Sequence, residues 1–572
     1  MRKTLAGQVK EFKKDSIITP IFMILEVIME MIIPLLMSSI IDDGVEKGDI
    51  HHIYIIGIWM VVAAGIGLFA GIMGGKYGAR ASTGFARNLR QAMFENIQTF
   101  SFSNIDKFST PSLVTRMTTD VTNLQNSYQM LLRMCVRAPF SLICAMIMSF
   151  SVNVKLASIY LVAVIILGAL LAIIIWRAMG YFTAMFKKYD DLNESVQENV
   201  SAIRVVKAYV KEDYETERFN KANDELVGTQ LDVLLLLSYM TPVMNIILNL
   251  SVVAVIKVGG IQVMDGSATP GNVMAAITYC SQVLNAVMRM TMIFQTASRG
   301  VASQKRIMEI LNCEPAIKDG AYDGETIVKG KVEFRNVSFA YPGNEDASVI
   351  EDFNLVISPG ETIGILGATG CGKTSLISLI PRFYDVTKGA VLVDDVDVRD
   401  YKLEVLRDKI AVSLQKSEIF TASIADNIAW GLPDATPDNI AAAADTAQAA
   451  QFINNRKDGM QTIVSQGGHS LSGGQRQRVA IARAVIKPAE ILIFDDATSA
   501  LDLKTEAELY SKLGKNKKDI TKIIIAQRIA SVKNADRIVV MDNGKLADVG
   551  SHEQLMITSS IYKDIYDSQL KK

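Results

Sequence analysis

The sequence predicts a two-part chain: a membrane domain built entirely of helices, followed by an α/β domain with a largely parallel sheet. Three observations carry this. At 572 residues the chain exceeds what one hydrophobic core organises, so two or more domains are expected. Apolar residues make up 49% of the whole but crowd into its first half. Beyond residue 331, strand-like alternation such as Val332, Phe334, Val337, Phe339 gives way repeatedly to helical periodicity, as βα units require.

Six apolar stretches, near residues 16–41, 53–75, 131–153, 156–176, 233–263 and 272–296, each approach the roughly 20 residues of a bilayer-spanning helix. The first carries Glu26 and Glu30, is too long for a signal peptide and lacks a small-residue cleavage pattern, so it is expected to stay in the mature protein. Orientation follows from basic flanks. Lys76, Arg80, Arg87, Arg90, Lys107 and Arg116 lie between spans two and three, with Arg133 and Arg137 at the start of the third, and Arg177, Lys187, Lys188 and Arg204 lie between spans four and five. Both segments, and with them both termini, are assigned to the cytoplasm of a multi-pass protein of the cell membrane. The spacing of Tyr189, Leu192, Val196, Val200 and Ile203 extends the spans as helices into the cytoplasm, each pair joined by a short transverse piece. The expected division is 1–300 membrane domain, 301–330 linker and 331–572 soluble domain.

Lys plus Arg total 59 against 60 for Asp plus Glu, a net charge of −1 that offers no global field for nucleic acid. Cys135, Cys144, Cys280, Cys313 and Cys371 are scattered and odd in number, which excludes a disulfide framework or metal cluster and reads as reduced thiols. The four histidines, His51, His52, His469 and His552, are too dispersed for a metal site or a catalytic dyad.

The chemistry sits in the soluble half. A strand at Thr362–Leu366 runs into Gly367-Ala368-Thr369-Gly370-Cys371-Gly372-Lys373-Thr374, with Ser375 beside it and an apolar helix behind: a full phosphate-binding loop in its required context. Its glycines turn backbone N–H groups toward phosphate oxygens, Lys373 neutralises the β and γ phosphates, and the Thr374 hydroxyl suits magnesium. A buried strand ends in Asp495 and Asp496, the first placed to support the magnesium ion and the second to activate water. Between them lies Leu471-Ser472-Gly473-Gly474-Gln475.

With that last motif the chain resembles the ATP-binding cassette family, in order and spacing, across residues 331–572. The six spans before it make the whole similar to an exporter half-transporter of the multidrug type: a six-helix transmembrane domain fused to a P-loop nucleotide-binding domain. The resemblance implies that Tyr341 stacks on adenine, that Gln415 joins Thr374 and Asp495 at Mg2+, that Ser499 to Asp502 forms a loop crossing a dimer interface, and that Ser195–Tyr209 is a coupling region. It also implies two cassettes meeting head to tail, so that Leu471 to Gln475 completes the partner's ATP site. Importers are disfavoured by the fused order of the parts.

Two departures stand out. Active members carry Glu after the magnesium aspartate and His near the last strand; here the positions hold Asp496 and Gln527. The shorter carboxylate withdraws the base by about one bond, and about 1 Å of misplacement can cost on the order of a hundredfold in rate. Gln527 can donate to a phosphate but cannot relay a proton. The resemblance is thus to the degenerate subunit of a heterodimer, whose own site binds ATP and hydrolyses it slowly. A regulatory subunit without a transport path and a slow homodimeric exporter are the alternatives. Ahead of the signature, Ser465-Gln466-Gly467-Gly468 replaces a charged Gly-Glu-Arg-Gly run.

The expected cargo is an amphipathic or hydrophobic compound, a drug, lipid or peptide, taken from the bilayer. Glu26 and Glu30 share a helical face and are candidates for the substrate cavity. Either they attract cationic substrates or they serve a helix contact, with Arg289 as a possible base.

Overall fold

The computed structural model describes residues 4–324, 327–344 and 347–570, with the backbone alone at 291, 292, 294–299 and 570. The chain divides into two compact units: Met1–Gln98 with Thr110–Cys313, and Thr99–Ser109 with Glu314–Lys572. The units therefore do not follow sequence order.

The first unit is all helix. Among the described residues, five stretches are long and apolar enough to cross a membrane: Ala6–Val45, Ile50–Gln98, Thr110–Val152, Val154–Ser201 and Glu212–Met264. The sixth expected span, 272–296, lies within helix Pro270–Leu311 but is not among these five. Asn272, Gln282, Asn285 and Arg289 dilute its apolar character, and the side chains of 291, 292 and 294–296 lie outside the described residues. Helices Ile50–Gln98 and Val154–Ser201, of 49 and 48 residues, far exceed the roughly 20 that a bilayer needs, so both continue beyond it. Each inter-span segment holds a short helix, Phe102–Phe108 in one and Ile203–Ala208 in the other. Leu156, Tyr160, Leu167 and Tyr279 form the packed centre, where the Tyr279 hydroxyl donates to the Met31 carbonyl at 2.7 Å. Large apolar side chains such as Leu68, Ile165, Trp176 and Ile246 point outward, as lipid solvation requires.

Among its described residues the second unit holds ten strands: β1 Val332–Phe339, β2 Ile350–Ile357, β3 Thr362–Gly367, β4 Lys388–Val393, β5 Val396–Asp397, β6 Ile410–Ser413, β7 Ile491–Asp495, β8 Thr521–Ile525, β9 Arg537–Asp542 and β10 Lys545–Gly550. Six form a sheet in the order β10-β9-β3-β8-β7-β6, parallel except where β10 pairs with β9. Both faces are covered, which is why β7 and β8 are buried at every residue and read as unbroken runs. The other four make an antiparallel sheet, β2-β1-β4-β5. The C-terminal ends of β3 and β7 lie near each other across β8, and ligands of such sheets sit at strand C-termini.

Helix Phe102–Phe108, drawn from between the second and third spans, packs into this same unit. Phe102 lies 4.4 Å from Phe383 between ring centroids, and the Tyr384 hydroxyl donates to Asp106 Oδ2 at 2.7 Å. Asn104 Nδ2 donates to the Glu314 carbonyl.

Candidate functional site: a phosphate loop beside two acids

Strand β3 delivers its chain to the loop, and helix Lys373–Ser378 leaves it. The turn depends on glycine for room and for conformation. A Cβ on Gly367 would stand 2.3 Å from the Met541 carbonyl oxygen; Gly372, at φ +97°, would put one 2.9 Å from that of Val349. Ala368, Thr369 and Gly370 are exposed, whereas Cys371 is buried, its Sγ 3.7 Å from Lys373 Nζ. Lys373 curls over the loop and donates to the carbonyls of Gly367 and Ala368, both at 2.8 Å. Phosphate oxygens would replace those two acceptors. Tyr341 is tied to the loop helix, its hydroxyl 2.8 Å from Ser375 Oγ, and its ring meets Tyr384 edge-on at 5.3 Å.

Thr374 Oγ1 donates to Asp495 Oδ1 at 2.9 Å, so a hydroxyl and a buried carboxylate 121 residues apart converge. These are hard oxygen donors of the kind Mg2+ takes, and the loop beside them suits a polyphosphate; the residues present fit MgATP. Asp496 follows at φ +47°, a strained value for a non-glycine residue. Its Oδ2 accepts from Gln527 Nε2 at 3.0 Å and from Gln415 Nε2 at 3.4 Å. Gln415 is thus drawn to Asp496. Burial pushes Asp495 above the usual carboxylate range, opposed by the Thr374 hydrogen bond. Burial raises Asp496 as well, against the pull of Gln415 and Lys373. Two raised carboxylates side by side favour any cation placed between them and the phosphates.

Ser472 caps helix Gly473–Ile486 in a reciprocal box, accepting from Gln475 N at 3.3 Å while Gln475 Oε1 accepts from Ser472 N at 3.2 Å. Leu471 anchors the motif in the core, and Ser472 and Gly473 are exposed. Gly474 allows a close approach, since a Cβ there would stand 2.9 Å from the Ala500 carbonyl oxygen. The helix N-terminus presents amides and a positive dipole end outward, a surface for an anion delivered from elsewhere.

Residues that sequence reasoning passed over hold these pieces together. Gln477, two positions past the motif, donates to Ser499 Oγ at 3.0 Å and accepts from Ala500 N at 2.9 Å, tying the motif's helix to the following loop. Arg528 donates to the carbonyls of Leu501 and Ser499. Asp502, already expected in the interface loop, caps the next helix through Thr505. Buried Glu506 accepts from Thr498 and Ser531. The only forewarning of Gln477 was its position one turn into a helix whose start was already marked. Before the motif, Ser465 and Ser470 exchange side-chain-to-backbone bonds across a 3-10 turn, so the uncharged run is an ordered element.

In the membrane unit, Glu26 and Glu30 both pair with Arg137, at 3.2 and 3.1 Å. The expected base, Arg289, is not their partner; Arg137 projects from the facing helix with two Nη atoms, one for each acid.

Two family models match this chain: "ABC transporter transmembrane region" over residues 16–287 and "ABC transporter" over 350–499. The uncharacterised ABC transporter ATP-binding protein YfiB of Bacillus subtilis is 36% identical over 569 residues, covering 100% of this chain and 98% of its own. An ATP-dependent lipid A-core flippase of Syntrophus aciditrophicus is 34% identical over 514 residues, 90% of this chain and 84% of the flippase. The solved structure of a bacterial Atm1-family ABC exporter with ATP bound shares the fold, with a TM-score of 0.81, 24% identity and coverage of 97% and 98%.

Proposed function

The chain belongs to the ABC transporter family, and on that premise we propose that it is one half of a heterodimeric exporter whose own ATP site binds and retains the nucleotide. Its cargo is an amphipathic or hydrophobic compound; that a relative at 34% identity is named a lipid A-core flippase supports a lipid-like body. ATP closes the paired cassettes, and hydrolysis removes the charge that bridges them. Both termini lie in the cytoplasm.

The carrying observation is the environment of Asp496. Its carboxylate is short, strained at φ +47° and engaged by two neutral amides, Gln527 and Gln415. Neither amide can accept a proton from attacking water. Lys373, the loop amides, Thr374 and Asp495 keep what binding needs. When magnesium is held by Thr374 and Asp495 it neutralises phosphate charge. The Ser472–Gly474 amides complete the partner's site, where turnover is fast.

The test is a single-turnover experiment on the complex purified with its partner, using labelled ATP and quenching over time. The reading expects about half of the bound label to persist as ATP long after the other half has become ADP. Complete conversion at one rate overturns it.

A further inference from the structure

We propose that the membrane unit recognises an anionic headgroup, a phosphate or carboxylate carried on an alkyl body, and that Arg133 and Arg289 grip it. The inference rests on the export reading and names the chemistry of its cargo.

A cavity of about 360 Å3 is walled by Arg133, Arg137 and Arg289, and among the described residues no carboxylate lines it. Arg137 is already ion-paired through both Nη atoms with Glu26 and Glu30, although its Nε lacks a partner among the described residues. Those acids are neutralised, so they do not recruit cations. Arg133 also borders the neighbouring cavity of about 490 Å3 that holds the two acids, yet no acidic partner reaches it or Arg289 among the described residues. Arg133 Nε is buried without a hydrogen-bond partner. Its stem packs closely on Gly78, where an added Cβ would stand 3.2 Å from Arg133 Cδ.

Charge is expensive among membrane helices and is kept there for a partner. Guanidinium is donor-only, cannot shed its proton to escape the cost, and matches phosphate or carboxylate with two parallel bonds. Asn126 and Gln129 add uncharged polar contacts at the same wall. Met130 and Met134 supply an adaptable apolar surface for the chain that follows the headgroup. Cation, amide and thioether together describe an amphiphile with a negative end.

The test uses the full chain with its co-purified partner in nanodiscs of neutral phosphatidylcholine. Affinities are measured for dodecyl phosphate, for dodecyltrimethylammonium, which has the same tail and opposite charge, and for tail-labelled phosphatidic acid. Dodecyl phosphate should bind at least tenfold more tightly than the ammonium compound. Phosphatidic acid binding more tightly than dodecyl phosphate assigns the headgroup to a membrane lipid; the reverse order assigns it to a soluble amphiphile. R133Q with R289Q should erase the charge preference, while R133K with R289K, which keeps both charges and guards against a folding artefact, should retain it. Equal affinity for anion and cation, or a preference that survives R133Q with R289Q, overturns the proposal. ATP-driven uptake of a hydrophobic dye into inside-out vesicles is scored separately: its absence counts against export, and it leaves the binding result to judge the headgroup site.

Discussion

Gln527 donates its side-chain amide to Asp496 Oδ2 across 3.0 Å, joining the end of β8 to the end of β7 where a proton-accepting pair would be needed for hydrolysis. The bond holds the carboxylate still and gives it no route for a proton. Asp496→Glu with Gln527→His should therefore raise ATP turnover at this chain's site at least tenfold, each single change doing less, because the two act on one step. The check is the ATPase rate of the purified complex with the partner's own water-activating carboxylate removed.

Asp496 is also a cost to the fold. Burial raises its carboxyl, so ionising it is disfavoured in the fold and stability falls as the pH rises through its titration. Asn removes the charge, keeps an acceptor for Gln527 and tolerates φ +47° better than most residues. Asp496→Asn should raise the melting temperature of the chain by on the order of 2–4 °C, measured by differential scanning fluorimetry. An equal or lower value contradicts this account of the site.

The two signature glycines should separate on substitution. Gly474→Ala sets a Cβ 2.9 Å from the Ala500 carbonyl oxygen and should cost about 1–3 kcal/mol as overpacking. Gly473→Ala meets nothing nearer than 3.8 Å and should leave the melting temperature within about 1–2 °C of the parent. Both are read in thermal unfolding of the full chain in detergent.

The Tyr384 hydroxyl bonds Asp106, on a helix that follows directly from Ile50–Gln98. Burial pushes Tyr384 up, so it stays a donor at any physiological pH. Tyr384→Phe removes a bond worth about 1 kcal/mol and should weaken stimulation of ATPase by transported compound several-fold. Basal ATPase, measured in parallel, should change less than twofold.

What the sequence made legible was what chemistry forces to be contiguous. The phosphate loop must follow a strand and open a helix within eight residues, and the Ser472–Gln475 box marks a helix start through spacing alone. The long spans and their continuation as helices were visible for the same local reason. Through-space choices were not. Glu26 and Glu30 signalled either cationic substrates or a helix contact, yet nothing local ranks Arg137 above Arg289 as their base, since both lie on distant helices. The segment Thr99–Ser109 joins the second unit through Phe102 and Asp106, contacts made some 280 residues away that no periodicity records. Polar side chains on Pro270–Leu311 carry its 272–296 stretch below the apolar character of the other five spans, a loss that a count of apolar runs understates.

The most direct measurement is the composition and activity of the complex that a tagged copy of this chain draws from its own membranes. The account predicts a one-to-one assembly with a different half-transporter, whose steady-state ATPase falls less than threefold on Asp496→Asn and is abolished by loss of the partner's catalytic carboxylate. An assembly of identical chains, losing ATPase about a hundredfold on Asp496→Asn, would contradict it.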